Sequence, residues 1–370
     1  MKNFLNFFVL IILIFPINIF AQNINSYNIN ANLNSESKTL EINQIMKFKN
    51  TSDISLKEII LEDWSNSYVD NRTNLAKRIS DEYSRSFSFA KKKQRGSTKI
   101  KTINSVYIDS WRRSSNTSDI IEVHLNKSLK PGESIELEIN YTVKLPDSKF
   151  TGYGFDNDNF YLKNWLIVFS NISNSNWYSQ SNLNLDDQSL QKSGYKLKIS
   201  FDKDYYLFSN LIKNNTEVIN NLKSVSLSGS GIKDVRINLL IEENYKRFQN
   251  NKNEIETDIF KSSSLEDAEI KVDRVNNFVK DYFNDHSNIK LLVPKIDYDS
   301  NPFYGLNQLP SFISPFSDEF LEEILNFEGL MKVINDQTKD HGGINREQYD
   351  WAQKYFQEAQ NDLRPQSYHS

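Results

Sequence analysis

Cysteine is absent from the 370-residue chain. That excludes disulfides, a thiolate nucleophile and any cysteine-type metal site. Histidine is scarce: His124, His286, His341 and His369 are the only four. No two of them are spaced to form a His-Glu-X-X-His helix, in which imidazoles one turn apart aim at one zinc ion. His124 alternates with Glu122 and Asn126 along an expected strand, on its polar side. His286 ends an expected helix, where an imidazole suits the helix dipole. His341 lies in a Gly-rich turn and His369 near the C-terminal residue. An excess of positive charge is also lacking, since 44 basic side chains face 48 acidic ones for a net charge of −4. Phosphate binding needs a concentrated basic surface, so this balance argues against nucleic acid as a partner. Gly-X-Ser-X-Gly does not occur; Ser228-Gly229-Ser230-Gly231 has the small residues in another order. Walker A and dinucleotide fingerprints are missing too.

Long apolar runs are lacking with one exception, at the start. Lys2 is followed by Phe4 to Phe15, interrupted only by Asn6. Pro16 and Asn18 end the run, and Ile19-Phe20-Ala21 precedes Gln22. The run is short for a membrane span and a small residue follows it, so residues 1–21 read as a cleaved export signal. The expected location is periplasmic or extracellular, with no membrane span after cleavage. An uncleaved anchor is the rival reading.

What is present is bulky core material: 24 Phe, 18 Tyr and 5 Trp. A disordered chain would have few aromatics. Alternation with period two marks strands at Tyr27–Leu33, Leu40–Phe48, Ile54–Leu61, Ser105–Trp111, Asp119–Leu125, Ile135–Val143, Phe160–Phe169, Tyr195–Phe201, Ser224–Ser228 and Val235–Ile241. Half-buried antiparallel strands in this number predict a sandwich or a large curved sheet over residues 22–242. Leu129-Lys130-Pro131-Gly132 predicts a turn. Leu75, Ile79 and Tyr83 predict a helix over 74–85, followed by a solvated basic loop with Lys91, Lys92, Lys93, Arg95, Lys99 and Lys101. Beyond 242 the pattern becomes mixed α+β. Helices are expected over 264–283, capped by Ser264 with Asp267, over 317–334 and over 345–363, with a short strand at Ile289–Val293. Residues 243–344 read as a second, partial α+β domain, and 345–370 as a Gln-rich terminal helix or tail, native or foreign.

The carboxylate pairs Asp186-Asp187, Asp297 with Asp299, and Glu322-Glu323 are spaced for acid/base work, but solvated surface or loop capping is the commoner use of such pairs. Trp165, Phe169, Trp177 and Tyr178, and later Phe303, Tyr304, Phe312 and Phe316, form two aromatic groups. Core packing accounts for most of them, and some could line a groove for an extended peptide.

Four segments in order carry a family resemblance: Leu129-Lys130-Pro131-Gly132 with Ile139-Asn140-Tyr141; Thr151-Gly152-Tyr153-Gly154; Trp177-Tyr178-Ser179 with Asn184-Leu185-Asp186-Asp187; and Asn301-Pro302-Phe303-Tyr304-Gly305-Leu306-Asn307-Gln308-Leu309-Pro310. Together they resemble the zinc aminopeptidases of the gluzincin family, relatives of aminopeptidase N and leukotriene hydrolase, nearest to divergent exported members in Bacteroidetes. The resemblance implies an N-terminal antiparallel β-sandwich or saddle followed by a partial thermolysin-like α+β domain. It places Gly305, Leu306, Asn307 and Gln308 where the family carries its Gly-X-Met-Glu-Asn substrate strand, with Gln308 in place of the glutamate that grips the free amine. Gln308 has no negative charge and binds an ammonium less strongly. The helix next in order, 317–334, holds Glu319, Glu322 and Glu323 but no histidine. The family's cofactor is zinc, yet neither a cofactor, a metal ligand set nor a catalytic residue is expected here. The expectation is an exported, metallopeptidase-like, peptide- or partner-binding protein, zinc-free or cut short of its catalytic half. The alternative is a secreted β-sandwich binding or adhesion module with no peptidase ancestry.

Overall fold

Where apolar side chains alternate with polar ones, the chain extends, because a pleated strand sends successive residues to opposite faces. In the computed structural model, which describes residues 25–81, 85–173, 175–185, 190–249, 253–258, 270 and 289–300, β1 (Ser26–Asn34) and β2 (Thr39–Lys49) follow this rule closely, with alternate residues buried. In the tight turn between them the Ser37 N–H donates to Asn34 Oδ1 (2.8 Å) and Lys38 takes a φ of +56°. Then come β3 (Leu56–Glu62), a 3-10 turn at Trp64–Tyr68 and helix α1 (Asn74–Asp81). The Thr73 hydroxyl caps α1 by accepting the Ala76 N–H (3.2 Å), and Leu75, Ala76 and Ile79 are buried. Next are β4 (Ser97–Asn104), β5 (Ile108–Arg113), β6 (Ile120–Leu129) and β7 (Ser134–Lys144). Between β6 and β7, Pro131 and Gly132 (φ +80°) make the expected turn, with the Glu133 N–H returning to the Lys130 carbonyl (3.0 Å).

Shorter strands follow: β8 (Gly154–Asp156), β9 (Asn159–Leu162), β10 (Val168–Phe169), β11 (Asn171–Ser173) and β12 (Asn176–Tyr178). Then come β13 (Ser193–Asp202), β14 (Tyr206–Ser209), β15 (Ile212–Ile219), β16 (Leu222–Ile232) and β17 (Ile237–Leu240). The last described elements are β18 (Lys246–Gln249), β19 (Asn253–Thr257), β20 (Ile289–Val293) and helix α2 (Lys295–Ser300).

The chain divides into two compact units. One takes the residues up to Pro146 with Lys163–Lys203 and Leu211–Val235; the other takes Asp147–Leu162, Asp204–Asn210 and the residues from Arg236 on. In the first unit a seven-stranded sheet has the order β15-β16-β13-β1-β2-β7-β4, and a four-stranded sheet the order β10-β3-β6-β5. All neighbours in the large sheet are antiparallel except β1 and β13, which run parallel. In the second unit the sheets are β14-β17-β9-β8 and β18-β19-β20, the latter with β19 and β20 parallel. The molecule is thus mostly β, with several sheets and little helix.

The core of the first unit lies on the inner face of the large sheet. Ile29, Leu40, Met46, Phe48, Leu137, Ile139, Val143, Ile199 and Phe201 are at most 1% exposed there. Each contributes about 1.5–3 kcal/mol by leaving water. Tyr27 stacks on Tyr195 across the parallel pair, with ring centroids 4.9 Å apart. Gln44 breaks this apolar face and is fully buried, but both ends of its carboxamide are used. Nε2 donates to the Ile167 carbonyl (2.6 Å) and Oε1 accepts the Tyr141 hydroxyl (2.6 Å). These bonds tie the sheet to the segment leading into β10.

Several elements differ from the sequence-based expectation. The basic loop is shorter than expected, since Lys99 and Lys101 lie in β4. A bulge between Ile100 and Thr102 shifts that strand's parity and hides its alternation. The stretch 160–169 is not one strand: β9 ends at Leu162, Asn164 takes a φ of +51°, and the chain resumes as β10. Strands β4, β8, β11, β12, β14, β15, β18 and β19 fall outside the strands the alternation marks. Helix α2 lies outside the expected helices. The expected helices over 264–283, 317–334 and 345–363 lie outside the described residues, Ile270 apart.

Candidate binding surface

Gly305, Leu306, Asn307 and Gln308 lie outside the described residues, as do His286, His341, His369, Asp186-Asp187 and Glu322-Glu323. His124 sits half-exposed on β6, opposite Glu58, with Nδ1 3.8 Å from Glu58 Oε2. Asp297 is committed to Arg236 at 2.6 Å. Among the described residues, no group of three or more His, Cys, Asp or Glu side chains is placed to hold a metal.

What the structure does assemble is the outer face of the large sheet. The polar half of each alternating strand falls there, and strand register lines the residues up. One row runs Ser226–Lys198–Asn30–Asn43–Asn140–Thr102 across β16, β13, β1, β2, β7 and β4. A neighbouring row runs Ser224–Ser200–Asn32–Glu41–Thr142–Lys99. Asparagine is a poor strand former, so the apolar inner face holds these strands extended. Within the first row Asn43 Nδ2 donates to Asn140 Oδ1 (2.8 Å) and to Glu138 Oε1 (2.9 Å), and Asn140 Nδ2 donates to Thr102 Oγ1 (3.1 Å). The Ser200 and Ser224 hydroxyls share a bond of 2.7 Å. These bonds fix the side chains in orientation.

A concavity of about 570 Å³ opens over this face, lined by Asn30, Asn32, Asn43, Asn140, Thr102 and Ser200, with Glu41, Lys101 and Lys198 at its margin. Lys101 pairs with Glu41 (3.4 Å) and Lys198 with Glu217 (3.6 Å), so charge on the face is balanced. The one aromatic residue in the lining, Tyr141, is 1% exposed and turned into the core. A sugar ring therefore finds nothing to stack on. Carboxamides offer a donor and an acceptor together, matching the N–H and C=O of an extended peptide.

A second polar group in the same unit is closed rather than open. Glu62 and Asp63 at the end of β3, and Asp119 just before β6, are each at most 3% exposed. Asp63 accepts from Arg113 (2.6 Å) and from the Thr98 hydroxyl (2.7 Å). Asp119 accepts the Ser181 hydroxyl (2.9 Å) and the Asn182 N–H (2.7 Å), and Glu62 accepts the Gln180 N–H (3.2 Å). Trp64 Nε1 adds a bond to the Gln180 carbonyl (2.8 Å). Burial pushes the Glu62 carboxyl up to about 7 and raises Asp63 and Asp119, against the pull of their donors. The arrangement clamps residues 180–182 onto the four-stranded sheet.

No protein-family model matches the chain, and no curated protein matches its sequence. Its structural neighbours are M1 zinc metallopeptidases. One from Deinococcus radiodurans superposes with a TM-score of 0.46 at 10% identity, over 73% of this chain and 55% of that one. A mutant of an M1 zinc metallopeptidase from the same organism gives 0.45 at 11% identity, over 74% and 57%. A two-domain M1 zinc metallopeptidase mutant bound to L-arginine gives 0.44 at 10%, over 73% and 56%. The chain spans little more than half the length of the structures it matches.

Proposed function

We propose that this chain is an exported, peptidase-like protein that binds an extended peptide or a strand of a partner without cleaving it. The observation that supports the reading is the carboxamide- and hydroxyl-lined concavity on the large sheet, whose size falls in the range of ligand sites. The sequence supports the second half of the reading: its four histidines offer no zinc helix, and Gln308 stands where the resembled family has a glutamate. Export to the periplasm or beyond, cleavage after Ala21 and the borders near 242 and 344 belong to the same proposal. So does a kinship with exported Bacteroidetes peptidases.

The test is a fluorescence-anisotropy screen of unstructured peptides against the purified chain, with zinc content and aminoacyl-substrate turnover measured on the same sample. Binding by wild type, weakened about tenfold by Asn43→Arg, which fills the concavity, is the expected result. Stoichiometric zinc with turnover would sink the non-catalytic reading. Peptide binding untouched by Asn43→Arg would move the site elsewhere.

A further inference from the structure

Strand β15 is unlike its neighbours: all eight of its residues are exposed. It forms one edge of the seven-stranded sheet, with β16 on one side and no described strand on the other. Ile212, Val218 and Ile219 are 63%, 56% and 68% exposed. Edge strands are normally blunted by proline, inward charge or brevity, because a row of unpaired N–H and C=O groups invites another chain. β15 has no proline, its acidic residue Glu217 is held by Lys198 within the sheet, and Lys213 is its one inward-facing charge.

A bulge at Asn214 fixes which side chains share a face. Ile212, Asn215 and Glu217 lie opposite Ser228, Ser226 and Ser224 and share the outer face; Lys213 and Thr216 lie opposite Leu227 and Val225 on the inner one. Alternation carries Ile219 to the outer face and Val218 to the inner. An antiparallel partner must oppose outer to outer and inner to inner. For two copies of β15 only a few two-fold registers satisfy this. Centring on Asn215 sets Ile212 against Glu217, and centring on Glu217 sets that carboxylate against its own copy. Centring on Thr216 opposes Ile212 to Ile219, Asn215 to Glu217 and Lys213 to Val218, with no like charges facing.

We propose that β15 pairs antiparallel with β15 of a second copy of this chain, across a two-fold axis at Thr216, joining two seven-stranded sheets into one. The contact is isologous, so each apolar pair occurs twice. The inference is independent of peptide binding on the sheet face, because it uses the edge and not the concavity.

Sedimentation equilibrium of the purified chain tests it. The expected result is a concentration-dependent dimer whose dissociation constant rises about tenfold or more in Ile219→Lys, an exposed position that the monomer tolerates. Asn215→Lys, which faces Glu217 of the second copy, is expected to tighten the dimer. Because the chain has no cysteine, Thr216→Cys introduces a single thiol at the axis. Directly opposed residues of an antiparallel pair have Cα atoms about 4.5–5.5 Å apart, within disulfide reach. Mild oxidation should cross-link Thr216→Cys and not Asn221→Cys, at the hairpin tip. A monomer at every concentration, a dimer indifferent to Ile219→Lys, or equal cross-linking of the two cysteine variants would overturn the proposal.

Discussion

Glu62 shows what a single buried group does to the stability of this protein. Its carboxyl is 3% exposed, and burial outweighs the one backbone N–H it accepts, from Gln180. With a folded pKa of about 7 against an ordinary 4.5, the native state holds this proton more tightly than the unfolded chain does. The contribution is fully present below 4.5 and is lost as the pH rises through 7. Asp63 and Asp119 act in the same direction, since burial raises both. Glu62→Gln keeps an acceptor for the Gln180 N–H and removes the titration. Urea unfolding between pH 4.5 and 8 should show a falling stability for wild type and a flatter profile for the variant. The difference between the two should be on the order of 3 kcal/mol at the alkaline end. Parallel profiles would mean that Glu62 is solvated.

Among elements, legibility in the sequence follows burial. β1, β2, β7 and β13 bury one face completely, so their alternation is unbroken and their extents are foreseeable to within a residue or two. β15 buries neither face, so nothing in Ile212–Ile219 alternates, and it escapes notice. β4 is hidden by its bulge and by lysines that read as loop. The stretch 160–169 misleads differently. Apolar residues flank Lys163-Asn164 on both sides, but Asn164 turns the chain, donating its N–H to Asp234 Oδ1 (2.9 Å), while Trp165 Nε1 reaches the Val235 carbonyl (2.9 Å). Both partners lie some 70 residues on, beyond the reach of local pattern. The polar outer face of the large sheet is legible only in half: Asn28, Asn30 and Asn32 are visibly the polar side of a strand, but the row Asn30–Asn43–Asn140 exists only through register. The aromatic contact between elements is testable. Phe48 is 1% exposed and packs on Phe169 (5.2 Å) and Trp177 (5.5 Å). Phe48→Ala should cost about 3–5 kcal/mol in denaturant unfolding, with a changed tryptophan emission maximum. A loss below about 1 kcal/mol would show that the site collapses to fill the hole.

At the scale of the whole molecule, the two units are built from interleaved segments. Every strand of the first unit's two large sheets, β15-β16-β13-β1-β2-β7-β4 and β10-β3-β6-β5, lies at or before Ile232, so residues 22–235 contain all the pairing partners of those two sheets. Expressed alone, 22–235 should unfold cooperatively with near-native near-ultraviolet circular dichroism, and with a smaller denaturant slope in proportion to its smaller buried surface. A molten spectrum would show that the first unit depends on the second. The parallel pairing of β1 with β13 has a consequence in time. β1 sits at the middle of its sheet, yet one of its two neighbours is made only when residues 193–202 emerge. Until then a nascent chain holds a half-built sheet with an apolar, unpaired margin at its centre. Completion waits on this late strand, and pairing at so long a sequence separation makes assembly slow.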